Sequence, residues 1–146
     1  MKNLFRCRTG LFIFLFLSLS FTTVFAQTKA IPQRSDIAEK YKWKLEDIYP
    51  TTEDWEKDFS KLKELTPQIS ACKGHLSDSG KKLLECLSLN DTLSDKLDRL
   101  YVYANLKLDE DTRNSTSQQM ADRISSLGTQ VAEAISFFQP EILAIS

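Results

Sequence analysis

Residues 90–114, NDTLSDKLDRLYVYANLKLDEDTRN, leave this chain few folds to choose from. Leu93, Leu97, Leu100, Ala104 and Leu108 recur at steps of four, three, four and four, which is the stripe of one helix face. Asn90 or Asp91 can cap the start of such a helix, and Asp95, Lys96, Asp98 and Arg99 give it a solvated side. Tyr101, Val102, Tyr103 and Leu106 then make its second half apolar almost all round. A helix that is wet on one side at its start and apolar on every side later must enter a larger assembly.

The remainder of the chain agrees with an all-α fold of antiparallel helical hairpins or a bundle. The sequence has 146 residues with 42% hydrophobic content, enough for one domain with a core, and only four Gly and four Pro. Helix formers are plentiful and alternating β-branched runs are missing.

The first residues predict a secretory signal over residues 1–26. Lys2, Arg6 and Arg8 precede an apolar block at 11–25, and Val24-Phe25-Ala26 supplies a small-x-small site before Gln27. An uncleaved anchor is the alternative, but Ser18, Ser20, Thr22 and Thr23 interrupt a block already short for a span of about 20 apolar residues. Export to the periplasm or the outside follows, with no stable membrane insertion after cleavage. Removing the segment leaves 16 basic against 20 acidic residues, a net charge of −4. No basic patch with interleaved aromatics appears, so a nucleic-acid partner is not expected.

Residues 27–40 form a polar leader without predicted structure of its own. Tyr41, Trp43, Leu45, Ile48 and Tyr49 follow, dense enough to be pinned against a surface. Thr51 and Thr52 before Glu53 and Asp54 start a helix whose apolar face is Trp55, Phe59, Leu62 and Ile69, with a kink or end at Pro67. Lys73-Gly74-His75 predicts a C-terminal cap, and residues 77–80 a turn. A separate helix over 81–89 then precedes the one that starts at Asn90. Asp109, Glu110 and Asp111 oppose the dipole of a helix end, which predicts a connection there, with Thr112 or Asn114 opening the next helix. That helix carries Met120, Ile124, Leu127, Val131, Ile135 and Phe138, with Gly128 as a weak point or a place of close approach. Ile142, Leu143 and Ile145 close the sequence without a polar cap, which suggests a piece of a longer protein.

Cys72 and Cys86 remain once Cys7 leaves with the signal. Export makes a disulfide possible, yet one cysteine at the end of a helix and the other two turns into the next implies an axial offset that a bridge resists. Two buried free thiols are therefore the expectation. No metal site emerges: His75 is the sole histidine, Cys72-x-x-His75 is a pair, and Cys86 brings it to three donors at most. The segment from Asp109 fails as a calcium loop, having Arg113 at its fifth position, Asn114 where Gly is required and Met120 at its twelfth. No Gly-rich phosphate loop and no histidine-assisted nucleophile is present. The sequence therefore yields no catalytic, cofactor-binding or metal-ligating residue.

Three linked segments do resemble one family. They are residues 41–50, YKWKLEDIYP; residues 99–104, RLYVYA, with 109–114, DEDTRN; and residues 140–143, PEIL. Their order and separation resemble the N-terminal region of oligoendopeptidase F, in the thimet-oligopeptidase-like class of zinc metallopeptidases, over residues 35–146. The resemblance implies a larger all-α enzyme that hydrolyses short peptides in a deep channel. Its zinc would be held by the two histidines of an H-E-x-x-H helix and a later glutamate. That motif is absent from this sequence. Residues 41–146 are thus expected to be a helical domain truncated before the catalytic domain, forming a wall of the channel, inactive alone and binding no zinc. Relatives of this kind are mostly cytoplasmic, so the export signal is a departure. A self-sufficient secreted module that binds a protein partner through a Tyr101–Tyr103 surface is the competing reading. A third is a membrane-anchored helical domain, if the signal is retained.

Amino-terminal sequencing of the protein recovered from its host should begin at Gln27. A protein that still carries Met1, or that stays in the cytoplasm, removes the signal-peptide assignment.

Overall fold

A computed structural model describes residues 31–145. The predicted signal segment and cleavage site, and the first part of the predicted leader, lie outside the described residues. Gln33–Ser146 forms one compact unit.

Helix α1 spans Thr52–Leu65, α2 Gly80–Glu110, α3 Ser115–Ile135 and α4 Phe138–Leu143. Short 3₁₀ segments occupy Arg34–Asp36, Glu39–Tyr41, Leu45–Asp47 and Thr66–Cys72, and no strand occurs among the described residues. The three long helices run up, down and up around one core. Trp55 meets Leu100 and Asp58 meets Lys96, so α1 and α2 are antiparallel. Glu56 meets Arg123, which places α3 alongside α1.

The starts of these helices were legible locally. Thr51 caps α1, its hydroxyl accepting the Asp54 N–H at 3.2 Å. Asn114 caps α3, its side-chain oxygen accepting the N–H groups of Thr116 and Ser117 at 2.9 and 3.1 Å. Each cap satisfies donors that have no partner within the helix. Pro67 acts as expected: α1 ends at Leu65 and the chain continues as the 3₁₀ segment Thr66–Cys72. Gly74 then adopts φ +79°, a left-handed conformation that favours glycine.

The main correction concerns α2. The expected break before Asn90 is absent, and one helix of 31 residues, about 46 Å long, runs through it. Its cap lies upstream at Ser79, whose hydroxyl accepts the Lys82 N–H at 3.1 Å. Leu83, Cys86, Leu87, Leu93, Leu97, Leu100 and Ala104 keep one helical register across the junction, all packed in or against the core. Neither Pro nor Gly interrupts it, so a capping residue type at Asn90 had no chain reversal to cap. The helix also runs further than expected, taking Asp109 and Glu110 into its last turn. The unfavourable charge there is offset by Lys107 in the same turn and by Arg34, which pairs with Glu110.

The second correction is a disulfide. Cys72 and Cys86 are bridged, with Cα atoms 5.8 Å apart. The expected offset disappears because the Thr66–Cys72 segment packs against both α2 and α3. The chain also reverses tightly, the His75 N–H reaching the Cys72 carbonyl at 3.0 Å. Cys72 is thereby set beside the second turn of α2. The leader differs as well: Arg34–Asp36 and Glu39–Tyr41 are hydrogen-bonded turns, and the guanidinium of Arg113 donates to Gln33.

The core includes Trp55, Leu62, Ile69, Leu76, Leu93, Leu100, Tyr103, Met120, Ile124, Leu127, Val131 and Phe138, together with both cysteines of the disulfide. A Cβ placed on Gly128 would meet a Leu97 methyl at 3.5 Å, an ordinary packing distance. The position is thus a weak point that tolerates filling. Gly128→Ala should stabilise the chain by about 0.5–1 kcal/mol. Leu100→Ala, at a fully buried site, should cost about 2–5 kcal/mol. Urea denaturation of the two variants checks both signs, and a destabilised Gly128→Ala would show that α2 and α3 cannot give at this contact.

Candidate functional site

The two longest of the family-like segments meet in space. The 3₁₀ turn Leu45–Asp47 packs against α2. The Arg99 guanidinium donates to the Ile48 carbonyl at 2.9 Å, and the Tyr49 ring stands edge-on to Tyr103 with centroids 5.5 Å apart. Leu45 and Tyr49 are buried, as their density predicted, whereas Tyr41 is 72% and Trp43 44% exposed. The pinned part of that segment is therefore its second half.

Tyr49 donates its hydroxyl to Asp58 at 2.8 Å, and Lys96 donates to the other oxygen of the same carboxylate at 2.6 Å. Burial acts to raise the Asp58 carboxyl, but the bonds from Lys96 and Tyr49 outweigh it and hold the group below its ordinary value. Burial and the bond to Asp58 push the Tyr49 phenol up. This cluster ties the aromatic segment, α1 and α2 together.

Next to it lies a cleft of about 450 Å³ between the Arg34–Pro50 stretch, the start of α1 and the last turns of α2. Lys107 points its ammonium to within 3.4 Å of the Thr52 hydroxyl and 3.5 Å of the Tyr103 hydroxyl. Arg34 is paired with Glu110 and Lys42 with Glu39, so much of the charge in the cleft is balanced internally. Such walls can hold a polar group by hydrogen bonds. Sequence reasoning missed Arg34, Lys107 and Asp58, because each acts on a part of the chain far away in sequence.

Among the described residues no three His, Cys, Asp or Glu side chains are grouped as a metal site. His75 sits on the exposed turn with Nδ1 2.8 Å from Asp78, and the sulfurs of Cys72 and Cys86 are bonded to each other. The Asp109 segment is divided between a helix end and a turn. In that turn the Arg113 side chain and backbone N–H hold the Asp111 carboxyl below the usual range.

The expected Tyr101–Tyr103 surface is only half a surface. Tyr103 is 3% exposed and belongs to the core, while Tyr101 and Val102 are 51% and 45% exposed. Leu106, expected to need an outside partner, packs against the core instead. Ile142, Leu143 and Ile145 are exposed, and Phe138 is buried beneath them in α4. Glu141 accepts the Gly74 N–H at 2.7 Å, fastening α4 to the turn before α2. No described helix is long and apolar enough to cross a membrane.

No protein-family model matches the chain. It is 44% identical over 115 residues to "Oligopeptidase PepF" of Bacillus subtilis (strain 168), covering 79% of this chain and 17% of that protein. It is 36% identical over 113 residues to "Group B oligopeptidase PepB" of Streptococcus agalactiae serotype III (strain NEM316), covering 77% and 19%. The crystal structure of oligoendopeptidase-F from Enterococcus faecium matches with a TM-score of 0.63 at 33% identity, over 66% of this chain and 19% of that one. The chain thus spans less than a fifth of the length of these relatives.

Replacing Tyr101 with Ser should lower hydrophobic-dye binding and self-association of the isolated chain without lowering its melting midpoint, since the ring is half exposed. Sedimentation with a dye titration checks this. A clear drop in midpoint would mean that Tyr101 is already satisfied within the bundle.

Proposed function

Starting from this likeness to the oligoendopeptidase F family, which spans more than three quarters of the chain, we propose that the protein is the helical N-terminal part of an exported peptidase that hydrolyses short peptides. The single observation that carries this reading is the 44% identity over 115 residues to a protein named an oligopeptidase. In this role the bundle forms a wall of the substrate channel and takes no part in the chemistry. Several features support a structural role. The sequence lacks H-E-x-x-H, and the described residues group no three metal-ligating side chains. Any zinc would be held by the catalytic domain, which is this chain's proposed partner. Tyr101, Val102 and the exposed residues of α4 are the surface that the partner would cover.

Grafting residues 33–145 in place of the matching stretch of the Bacillus subtilis oligopeptidase should give an enzyme that still cleaves a short fluorogenic peptide. The isolated chain should show no chelator-sensitive hydrolysis. Cleavage by the isolated chain at verified purity would overturn the non-catalytic role. A folded but inactive chimera would overturn the wall assignment. The exposure of Tyr101 and Val102 also suits the second reading, a secreted module that binds a protein partner. An isolated chain that is monomeric and binds no hydrophobic dye would favour that module.

A further inference from the structure

The bridge between Cys72 and Cys86 joins two buried positions of the core, 4% and 0% exposed. It closes the turn in which Leu76 is also buried, at 1%, and from which the Gly74 N–H reaches Glu141. A reductant or an exchange enzyme must approach a disulfide sulfur in line to attack it. With the Thr66–Cys72 segment lying against α2 and α3, Cys86 is fully buried and Cys72 nearly so, which obstructs such an approach.

We propose that the bridge is installed by a thiol–disulfide oxidant before that segment closes, and that it then serves as a permanent fastener rather than a redox switch. The thiolate of one cysteine attacks the oxidant's disulfide, giving a mixed disulfide and releasing one partner thiolate. The second cysteine thiolate displaces the other partner sulfur, so two electrons pass to the oxidant, which leaves as its dithiol with the two protons. The partner is thus a disulfide-bearing oxidase of an oxidising compartment. This inference rests on the export part of the proposed function and not on the peptidase part.

The test uses protein recovered from its own host and trapped with an alkylating reagent at lysis. After denaturation it should show no free thiol at Cys72 or Cys86, and a mass lower than that of the reduced chain by two hydrogens. Dithiothreitol should reduce the native protein at least about tenfold more slowly than the same protein in urea, as expected for buried sulfurs. The Cys72→Ala/Cys86→Ala variant should melt about 10 °C lower, the shift expected for losing a short cross-linked loop in a domain of this size. Two free thiols in the host protein would overturn oxidative installation. Equal reduction rates in the native and unfolded states would overturn the shielded fastener in favour of a switch. Should the variant fail to fold, the thiol count and the rate comparison still decide, since both use the natural chain. Neither readout depends on peptidase activity.

Discussion

The indole N–H of Trp55 donates to the Leu100 carbonyl at 3.0 Å in a fully buried setting, and the rest of the bundle is arranged around that contact. Inside α2 the same carbonyl also serves the helix's own ladder, so the indole takes its second lone pair. A buried indole N–H without an acceptor would cost about 1–3 kcal/mol, which means α1 can pack on α2 at few registers. Phe59 stacks on the indole at 5.1 Å, and the Arg123 guanidinium lies 4.4 Å from the Phe59 ring centroid. Glu56 holds that guanidinium by two bonds of 2.6 and 2.7 Å. The ion pair is more than a third exposed and contributes at most about 1 kcal/mol, so its value lies in fixing where α3 sits.

Charge near the core follows the same logic. Asp58 is acceptable beside the aromatic cluster because two donors saturate it. Its carboxyl is held below the ordinary value of 3.8, so its contribution to stability is present above that pH. The contribution is lost as the solution is acidified through the lowered value. At the far end of α2 the acids of the last turn are offset by Lys107 and Arg34 rather than by ending the helix. The C-terminal end of α2 is therefore set with the help of a tertiary contact from Arg34, and not by the local charge pattern alone.

That distinction explains what the sequence disclosed. The stripe of Leu93, Leu100 and Ala104 and the series Met120, Ile124, Leu127 and Val131 were legible because burial imposes a helical period on neighbours in sequence, whereas Phe138, expected in the same helix, opens α4. Thr51, Asn114, Pro67 and Gly74 were legible because caps and breakers act within a turn. Asn90 misled for the same reason: a capping residue type is a local signal, and only packing of the whole stripe shows that α2 passes through it. The Cys72–Cys86 bridge was misjudged because its geometry depends on the path after Pro67, where a 3₁₀ segment replaced the expected helix. The cleft was invisible, since Arg34 and Lys107 meet Glu110 and Thr52 across long sequence separations.

Some side chains fasten elements to one another, and others stay exposed. The disulfide, the Gly74–Glu141 bond and the Asp58 cluster each join elements distant in sequence, leaving the bundle few ways to deform. The exposed apolar residues Tyr101, Val102, Leu143 and Ile145 contribute nothing to that fastening. Large apolar side chains that neither fill the core nor interact with water favourably gain by being covered, and a rigid support lowers the entropy lost when they are. Under the proposed function, that rigidity would serve contact with the rest of a longer protein, while Asp58, Tyr49 and Lys96 near the core are bonded to one another. In the proposed role as a channel wall, the bundle would shape the space beside a reacting centre held elsewhere in the protein.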